Sequence, residues 1–477
     1  MLQQIRLFIL ILLGIAGLAS RTLARTSGPD IPDSLRTVVI GSVSIEGNYR
    51  TRTPIIMREM AVQPGDTLPR NILEGSLEID RRKIVNTNLF ITVEMLHFPD
   101  PQDSSFVNIQ VVVKERLYMV VLPVFSLADR NFNEWWYDRK RDLKRTTYGL
   151  FMNYNNITGR ADQLRLSAEF GFVPSYGISY SNPYIDKAKK TGIAIGMSYA
   201  TNKSLPFRTW NDKLDYFNSE QLNRERFYTF LKLSRRNKFY GFHVLDARWV
   251  SVQLSDTFAK LNPNYLLDSR TSQRYFQLAY SYSYDRRDNV QYPLRGFRYG
   301  ISAAKLGILP GDDVNQASLF GWYNRYYALG KRWFFNSGLT ARTSAPVRQP
   351  YAQTVGLGYK ANLVRGYELY VIDGQHFVLW DNELKYRLFS FEKTFPWIPI
   401  RQFNTIPVTA YVKTFADLGY VRNYYPELSN TKLGNRLLPG AGLGVDVVTF
   451  YNMVIRANYT VNGEREGRFF FQIGRSL

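Results

Sequence analysis

"RYFQLAYSYSYD", residues 274–285, decides the architecture. Phe276, Leu278, Tyr280, Tyr282 and Tyr284 alternate there with Gln277, Ala279, Ser281 and Ser283. A period of two puts successive side chains on opposite faces of a β-strand. One face is aromatic and apolar, the other small and polar, which suits a wall between lipid and a wet lumen. Leu164, Leu166, Ala168 and Phe170 repeat the pattern against Arg165, Ser167 and Glu169, as do Ile193, Ile195, Met197 and Tyr199 against Ala194, Gly196 and Ser198.

From Leu117 onward such segments predict sixteen strands. They lie near 117–127, 146–155, 161–171, 175–183, 189–200, 225–235, 240–253 and 273–285, then 296–306, 315–329, 331–343, 375–389, 405–420, 437–448, 451–462 and 467–477. Long connections at 128–145, 201–224, 254–272 and 344–374 contrast with short turns at Asn156 to Arg160, at Asn237 to Phe239 and around Gly330. That asymmetry belongs to antiparallel transmembrane β-barrels, and a soluble sandwich gives no reason for it. Composition agrees: aromatics are 15% of 477 residues, with 33 Tyr and 31 Phe, while the charged fraction of 21% looks soluble. After the first 25 residues no run approaches the roughly 18 consecutive apolar residues of a membrane-spanning helix.

Arg6, the apolar run Leu7 to Ala19 and the small residues Ala19, Ser20 and Ala24 read as a signal peptide over 1–24, cut after Ala19 or Ala24. The absence of cysteine excludes disulfides, a catalytic thiol and thiolate metal sites. No cofactor or metal is expected. A net charge of +21 would suit nucleic acid, acidic polymers or anionic lipid, and export argues against nucleic acid. The clusters Arg139-Lys140-Arg141 with Lys144-Arg145, and Lys187 with Lys189-Lys190, fall in loops. Solvated charge is their ordinary reading, and phosphate binding at a membrane surface is the functional one.

Residues 37–116 form a separate α+β unit. Val39 to Ile45 is a strand closed by Gly47-Asn48, and Thr53-Pro54 supplies an N-cap and a first-turn proline for a short helix. Pro64-Gly65-Asp66 ends it; a second helix then aligns Leu73, Leu77 and Ile84, and strands follow at Phe90 to Phe98 and Val107 to Val113. The order is β-α-α-β-β. With "VSIEGNYRTRTPIIMREM" and "LFITVEM", the unit resembles a POTRA domain, whose implied role is to receive unfolded chain by strand addition at a sheet edge.

Strand parity on the twelfth predicted strand, "FVLWDNELKYRL", turns Asp381, Glu383, Lys385 and Arg387 into the lumen; on the thirteenth, "VTAYVKTFADLGY", it turns Lys413, Phe415, Asp417 and Gly419 inward. Two acids, Glu383 and Asp417, therefore face the lumen on neighbouring strands. Arg365 lies in the long connection just before. If that loop folds inside, the guanidinium can bridge both carboxylates, which a lysine cannot match. Gly366 would permit the tight turn and Tyr367 would pack on the wall. At the other end of the wall, Pro123 in the first strand and Gly467 and Gly474 in the last predict a weakly paired seam where the barrel closes.

Val364-Arg365-Gly366-Tyr367 and Phe415-x-Asp417-x-Gly419 resemble the loop and strand motifs of the BamA superfamily, which includes TamA and the two-partner-secretion transporters. "YDRRDNVQYPLRG", residues 284–296, resembles its recurrent turn before a strand. The resemblance covers the whole mature chain and implies a lumen latch of Val364, Arg365, Gly366, Tyr367, Glu383, Phe415, Asp417 and Gly419. It also implies a seam that opens laterally between the first and last strands. The implied location is the outer membrane of a Gram-negative bacterium, with the POTRA domain in the periplasm.

The function so implied is an assembly factor that receives unfolded barrel clients and inserts them at the seam. Its partners would be those clients, outer-membrane lipids including lipopolysaccharide, and accessory lipoproteins or periplasmic chaperones. A transporter exporting one dedicated partner protein is the alternative; such transporters usually carry two POTRA domains and a plug helix, whereas one POTRA unit is read here. An enzyme is not expected. His97, His243 and His376 sit on separate predicted strands with no nucleophile motif, and neither HExxH nor GxSxG occurs.

Overall fold

The computed structural model describes residues 37–103, 105–127, 132–359, 362–397, 405–449 and 453–475, so the signal-peptide reading and its cleavage sites lie outside the described residues. The N-terminal unit contains β1 (Thr37–Glu46), α1 (Thr53–Met57), β2 (Thr67–Pro69), α2 (Arg70–Asn86), β3 (Phe90–Pro99) and β4 (Phe106–Glu115). Its sheet runs β2-β1-β4-β3. The expected β-α-α-β-β order thus gains a three-residue strand: α1 already ends at Met57, before Pro64-Gly65-Asp66, and beyond that turn Thr67 to Pro69 pairs with the start of β1. Thr53 is inside α1 rather than its cap, and Arg52 takes the N-cap position with no side-chain bond. The apolar stripe of α2 buries Leu73, Leu77 and Ile84 against Val38, Ile40, Val107, Ile109, Val111 and Val113. Asp80, fully buried on that helix, accepts from the backbone of Ala61 and Val62 at 2.8 and 3.0 Å and from Lys83 at 2.8 Å. Its charge is compensated in place.

Among the described residues eighteen more strands follow. They begin with β5 (Met119–Leu127), β6 (Thr146–Asn155), β7 (Gln163–Gly171), β8 (Ser175–Asn182) and β9 (Thr191–Asn202). Next come β10 (Ser204–Trp210), β11 (Lys213–Asn218), β12 (Arg224–Asn237), β13 (Gly241–Leu254), β14 (Ser272–Asp285) and β15 (Gly296–Leu306). The last are β16 (Gln316–Ala328), β17 (Trp333–Ala345), β18 (His376–Thr394), β19 (Thr405–Arg422), β20 (Leu437–Val448), β21 (Met453–Asn462) and β22 (Gly467–Arg475). All but β10 and β11 form one sixteen-stranded antiparallel sheet in chain order. Leu231, Leu245, Leu278, Tyr280, Ile301 and Leu443 are exposed on its outer face. Among the described residues no helix is long and apolar enough to cross a membrane.

The connection 201–224 departs from its reading as a loop. β10 and β11 make a hairpin whose tip, Asn211-Asp212, has positive φ at both positions. That geometry suits short polar residues that tolerate the left-handed region. Residues 254–272 likewise contain a short helix, α3 (Asp256–Leu261), with Ser255 accepting from the Phe258 amide at its N-terminus.

The N-terminal unit is clasped to one rim of the barrel, the rim with the short turns. Arg50 donates to the carbonyls of Asn156 and Ile157 at 2.9 and 2.6 Å and to the Tyr154 hydroxyl at 2.7 Å. Arg236, at the end of β12, grips Glu59 with two bonds of 2.5 and 2.6 Å. Lys83 lies 3.8 Å from the centre of the Phe239 ring and Arg58 lies 4.1 Å from that of Tyr184. These charge-assisted and cation–π contacts span the turns after β6, β8 and β12.

Candidate functional site in the barrel lumen

The loop before β18 folds into the lumen. Val364 and Tyr367 are each 1% exposed, and the Tyr367 hydroxyl accepts from the Gly463 amide at 3.1 Å. Gly366 has φ +102, a region that penalises any side chain with a Cβ. Arg365 then places its fork between two strands. Nε and Nη2 donate to the two oxygens of Asp417 at 2.8 and 2.6 Å, and Nη1 donates to Glu383 at 2.6 Å. Nη2 also reaches the Asn382 carbonyl at 3.2 Å, and the backbone amide of Arg365 donates to Asp417 at 3.0 Å. Beneath the guanidinium lies the Phe415 ring, with its centre 4.0 Å away. A flat, delocalised cation can both stack and bridge in this way.

Gly419 leaves room for the loop: a Cβ there would come within 2.4 Å of Val364. The eight residues of the expected latch are therefore gathered at one place. Strand parity did not reveal the surface on which they rest. On β20, Gly440, Gly442 and Gly444 follow one another at period two, and a Cβ at Gly440 would meet the Arg365 carbonyl at 1.9 Å. Asn462 on β21 donates to the Gly366 carbonyl at 3.0 Å. The glycine spacing in "LLPGAGLGVDVV" is the sequence signal for this track.

The network also extends farther than Arg365. Glu383 lies 2.8 Å from Lys385 and 3.3 Å from Lys413, and Lys413 forms a 2.7 Å ion pair with Asp446 on β20. Asp446 accepts from the Tyr292 hydroxyl at 2.9 Å. Tyr292 belongs to the turn between β14 and β15, on the rim that holds the N-terminal unit. Asn289 shapes that turn by accepting from the amides of Gln291 and Tyr292. The Tyr292 ring is 5.1 Å from that of Tyr411, and Lys385 sits over it at 4.3 Å. Three cations, three carboxylates and a phenol thus join a loop from one rim to a turn from the other. Each buried charge has an opposite partner, as a low-dielectric setting requires.

At the ends of the sheet, no ladder joins β5 to β22 among the described residues. Pro123 pairs across to Leu150 on β6. Gly467 and Gly474 pair with Val461 and Val454, so these glycines leave the β21 ladder continuous. The seam is bridged from beyond β5: Asn133 donates to the Phe469 carbonyl at 2.5 Å, and the Phe132 and Phe471 rings lie 6.5 Å apart.

The far mouth of the barrel is crossed by the β10–β11 hairpin. Asp212 at its tip accepts from the amides of Lys432 and Leu433 at 2.7 and 3.1 Å and from the Thr431 hydroxyl, and its carbonyl accepts from the Val371 amide at 2.8 Å. The hairpin springs from between β9 and β12, whereas residues 431–433 lie between β19 and β20, on the opposite side of the wall. The histidines lie apart: His97 is exposed on β3, His243 bonds the Tyr280 hydroxyl, and His376 bonds the Thr343 hydroxyl. No group of His, Asp or Glu suited to a metal ion occurs among the described residues.

A sixteen-stranded membrane-type barrel, carrying a small α+β module on one rim and an arginine loop latched in its lumen, defines a POTRA-bearing outer-membrane β-barrel. Residues 156–477 match the Omp85 superfamily domain, and residues 38–116 match the POTRA family described as a surface antigen variable number repeat. The chain belongs to the Omp85 superfamily, a family of outer-membrane barrels of Gram-negative bacteria. Among solved structures it is similar to BamA from Haemophilus ducreyi lacking POTRA domains 1–3, at 17% identity and a TM-score of 0.52, over 92% of this chain and 84% of that one. It is also similar to CdiB from Escherichia coli, at 12% identity and a TM-score of 0.50, over 95% and 91% of the two chains. Such likenesses show the fold. No curated protein sequence matches the chain.

Proposed function

We propose that this protein is a non-enzymatic assembly factor that accepts unfolded β-barrel clients at its periplasmic POTRA domain and inserts them into the outer membrane between β5 and β22. The observation that carries the reading is the seam: the two end strands share no ladder among the described residues. In lipid, unpaired backbone groups cost several kcal/mol each, on the order of the hydrogen bonds they lack, so such edges favour pairing with an incoming strand. Clients would first add to β3, which pairs only with β4 among the described residues and exposes Leu96 and Phe98.

The hairpin lying across the extracellular mouth favours lateral release over export through the lumen, because a translocated chain would have to break the bonds of Asp212 first. Full-length protein in liposomes is expected to accelerate folding of an unfolded barrel client, and an oxidised cysteine pair across β5 and β22 is expected to abolish that acceleration. Undiminished activity in the locked form would sink lateral insertion. Export of a partner protein through the locked barrel would transfer the assignment to a secretion transporter.

A further inference from the structure

On the outer wall, at the rim that carries the POTRA domain, Lys190, Arg235, Arg236, Asn237, Lys238 and His243 line a cavity of about 250 Å³. No carboxylate is in that lining. The nearby acids are otherwise engaged: Asp186 accepts from the amides of Lys190 and Thr191, and Glu59 holds Arg236. Arg236 also donates to the Phe239 carbonyl. Lys190, Arg235 and Lys238 remain exposed, with Arg235 making one long bond, 3.3 Å, to the Thr191 hydroxyl. Beside the paired Arg236, these three exposed cations suit an anion.

Its height on the wall says which anion. Arg235 faces His243 across the β12–β13 ladder, and one step along the same face is the pair Leu233 and Leu245. Both leucines are exposed on the outer surface. Beside them, the His243 ring lies 4.8 Å from that of Tyr282, and Tyr284 stacks on Phe297 and Tyr299 at 5.8 and 5.4 Å. Aromatic belts of this kind sit at the headgroup level of a bilayer. The cations therefore begin where the lipid-facing leucines end, so a ligand with a phosphate head and acyl tails can satisfy both surfaces.

We propose that this pocket binds the phosphate headgroup of an anionic phospholipid in the leaflet on the POTRA side. Arg235, Lys190 and Lys238 are its phosphate ligands, and the tails lie over Leu233 and Leu245. The arginine fork suits two phosphate oxygens, and the lysines add point charges. β12 and β13 are remote in strand order from the β5–β22 seam, so the site is separate from the insertion reading.

Native mass spectrometry of the full-length protein in neutral detergent tests this with phosphatidylglycerol and phosphatidylcholine. Wild type is expected to retain phosphatidylglycerol in preference to phosphatidylcholine, and Arg235→Ala with Lys238→Ala to weaken that retention by about tenfold or more. The milder pair Lys190→Gln and Lys238→Gln, at exposed positions, should weaken it in the same direction with the heat-resistant folded band intact. Equal retention of both lipids, or unchanged retention in folded variants, overturns the site. Displacement of phosphatidylglycerol by excess inorganic phosphate would assign the pocket to the free ion and overturn the lipid assignment.

Discussion

Two arginine forks fasten this molecule, one at the POTRA rim and one inside the barrel, and they differ in what their carboxylates have left when the fork is removed. Arg236 holds Glu59 at the POTRA rim, yet Glu59 also has Arg58 at 3.5 Å. Arg365 holds Asp417 and Glu383 in the lumen. Glu383 would keep Lys385 and Lys413, whereas among the described residues the side-chain donors to Asp417 are both on Arg365, and the fork's removal leaves it the backbone amide of residue 365. The Asp417 side chain is 1% exposed. Equal chemistry thus gives unequal dependence, because cost follows the group left unpaired rather than the bond that is cut.

The sharpest break of that comparison is Arg365→Ala. It leaves the Asp417 charge without its cation, held by one backbone amide, and should cost about 3–5 kcal/mol, the range for uncoupling a buried pair. A lower urea midpoint of the folded barrel in micelles and a loop newly open to protease are the expected readouts. Adding Asp417→Asn removes the orphaned charge and should recover most of the midpoint without restoring the latch. If the double variant is as unstable as the single one, the stranded carboxylate is not the cause.

Glu59→Gln addresses the other fork and should act on docking rather than on the barrel. Arg236 keeps its bonds of 3.0 and 2.9 Å to the Phe239 carbonyl, and Arg50 keeps its three contacts to the end of β6 and the turn after it. A loss of about 1–3 kcal/mol in docking is expected, from one charge-assisted pair made neutral. Faster proteolysis at the connector around Arg116 to Tyr118, with an unchanged barrel midpoint, would show it. A fall in barrel stability matching that of Arg365→Ala would erase the distinction between the two clasps.

The two forks also differ in how readable they were. Arg365 could be paired with Glu383 and Asp417 because period-two parity fixes the direction of every side chain on a strand, and both acids lie on adjacent strands. Parity ordered the sixteen strands for the same reason. It has no purchase on a turn or on packing between domains. Glu59 and Arg236 are 177 residues apart, one after a short helix and one at a strand end, and no local period relates them. The β10–β11 hairpin is hidden from parity because Pro206 and a register shift between Pro206 and Arg208 break the alternation of its first strand, although the turn chemistry of Asn211-Asp212 is present. Tyr292 sits among Asp288, Asn289 and Pro293, residues that any turn uses, so its reach into the lumen depends on a partner, Asp446, more than a hundred and fifty positions away.

Tyr292→Phe probes that reach and should have the smallest effect. The ring retains its contacts with Tyr411 and Lys385, and Asp446 retains Lys413 at 2.7 Å, so only the hydroxyl bond to the carboxylate is lost. A cost of about 1.5 kcal/mol is expected for a hydrogen bond to a charged group whose other partner survives. The decisive measurement is the double-mutant cycle with Arg365→Ala, read as urea midpoints. Additive effects would mean that the turn and the loop are held separately, each by its own carboxylate. A coupling well above about 0.5 kcal/mol would mean that the Lys413–Glu383 link transmits between them, so that the two rims are fastened by one network.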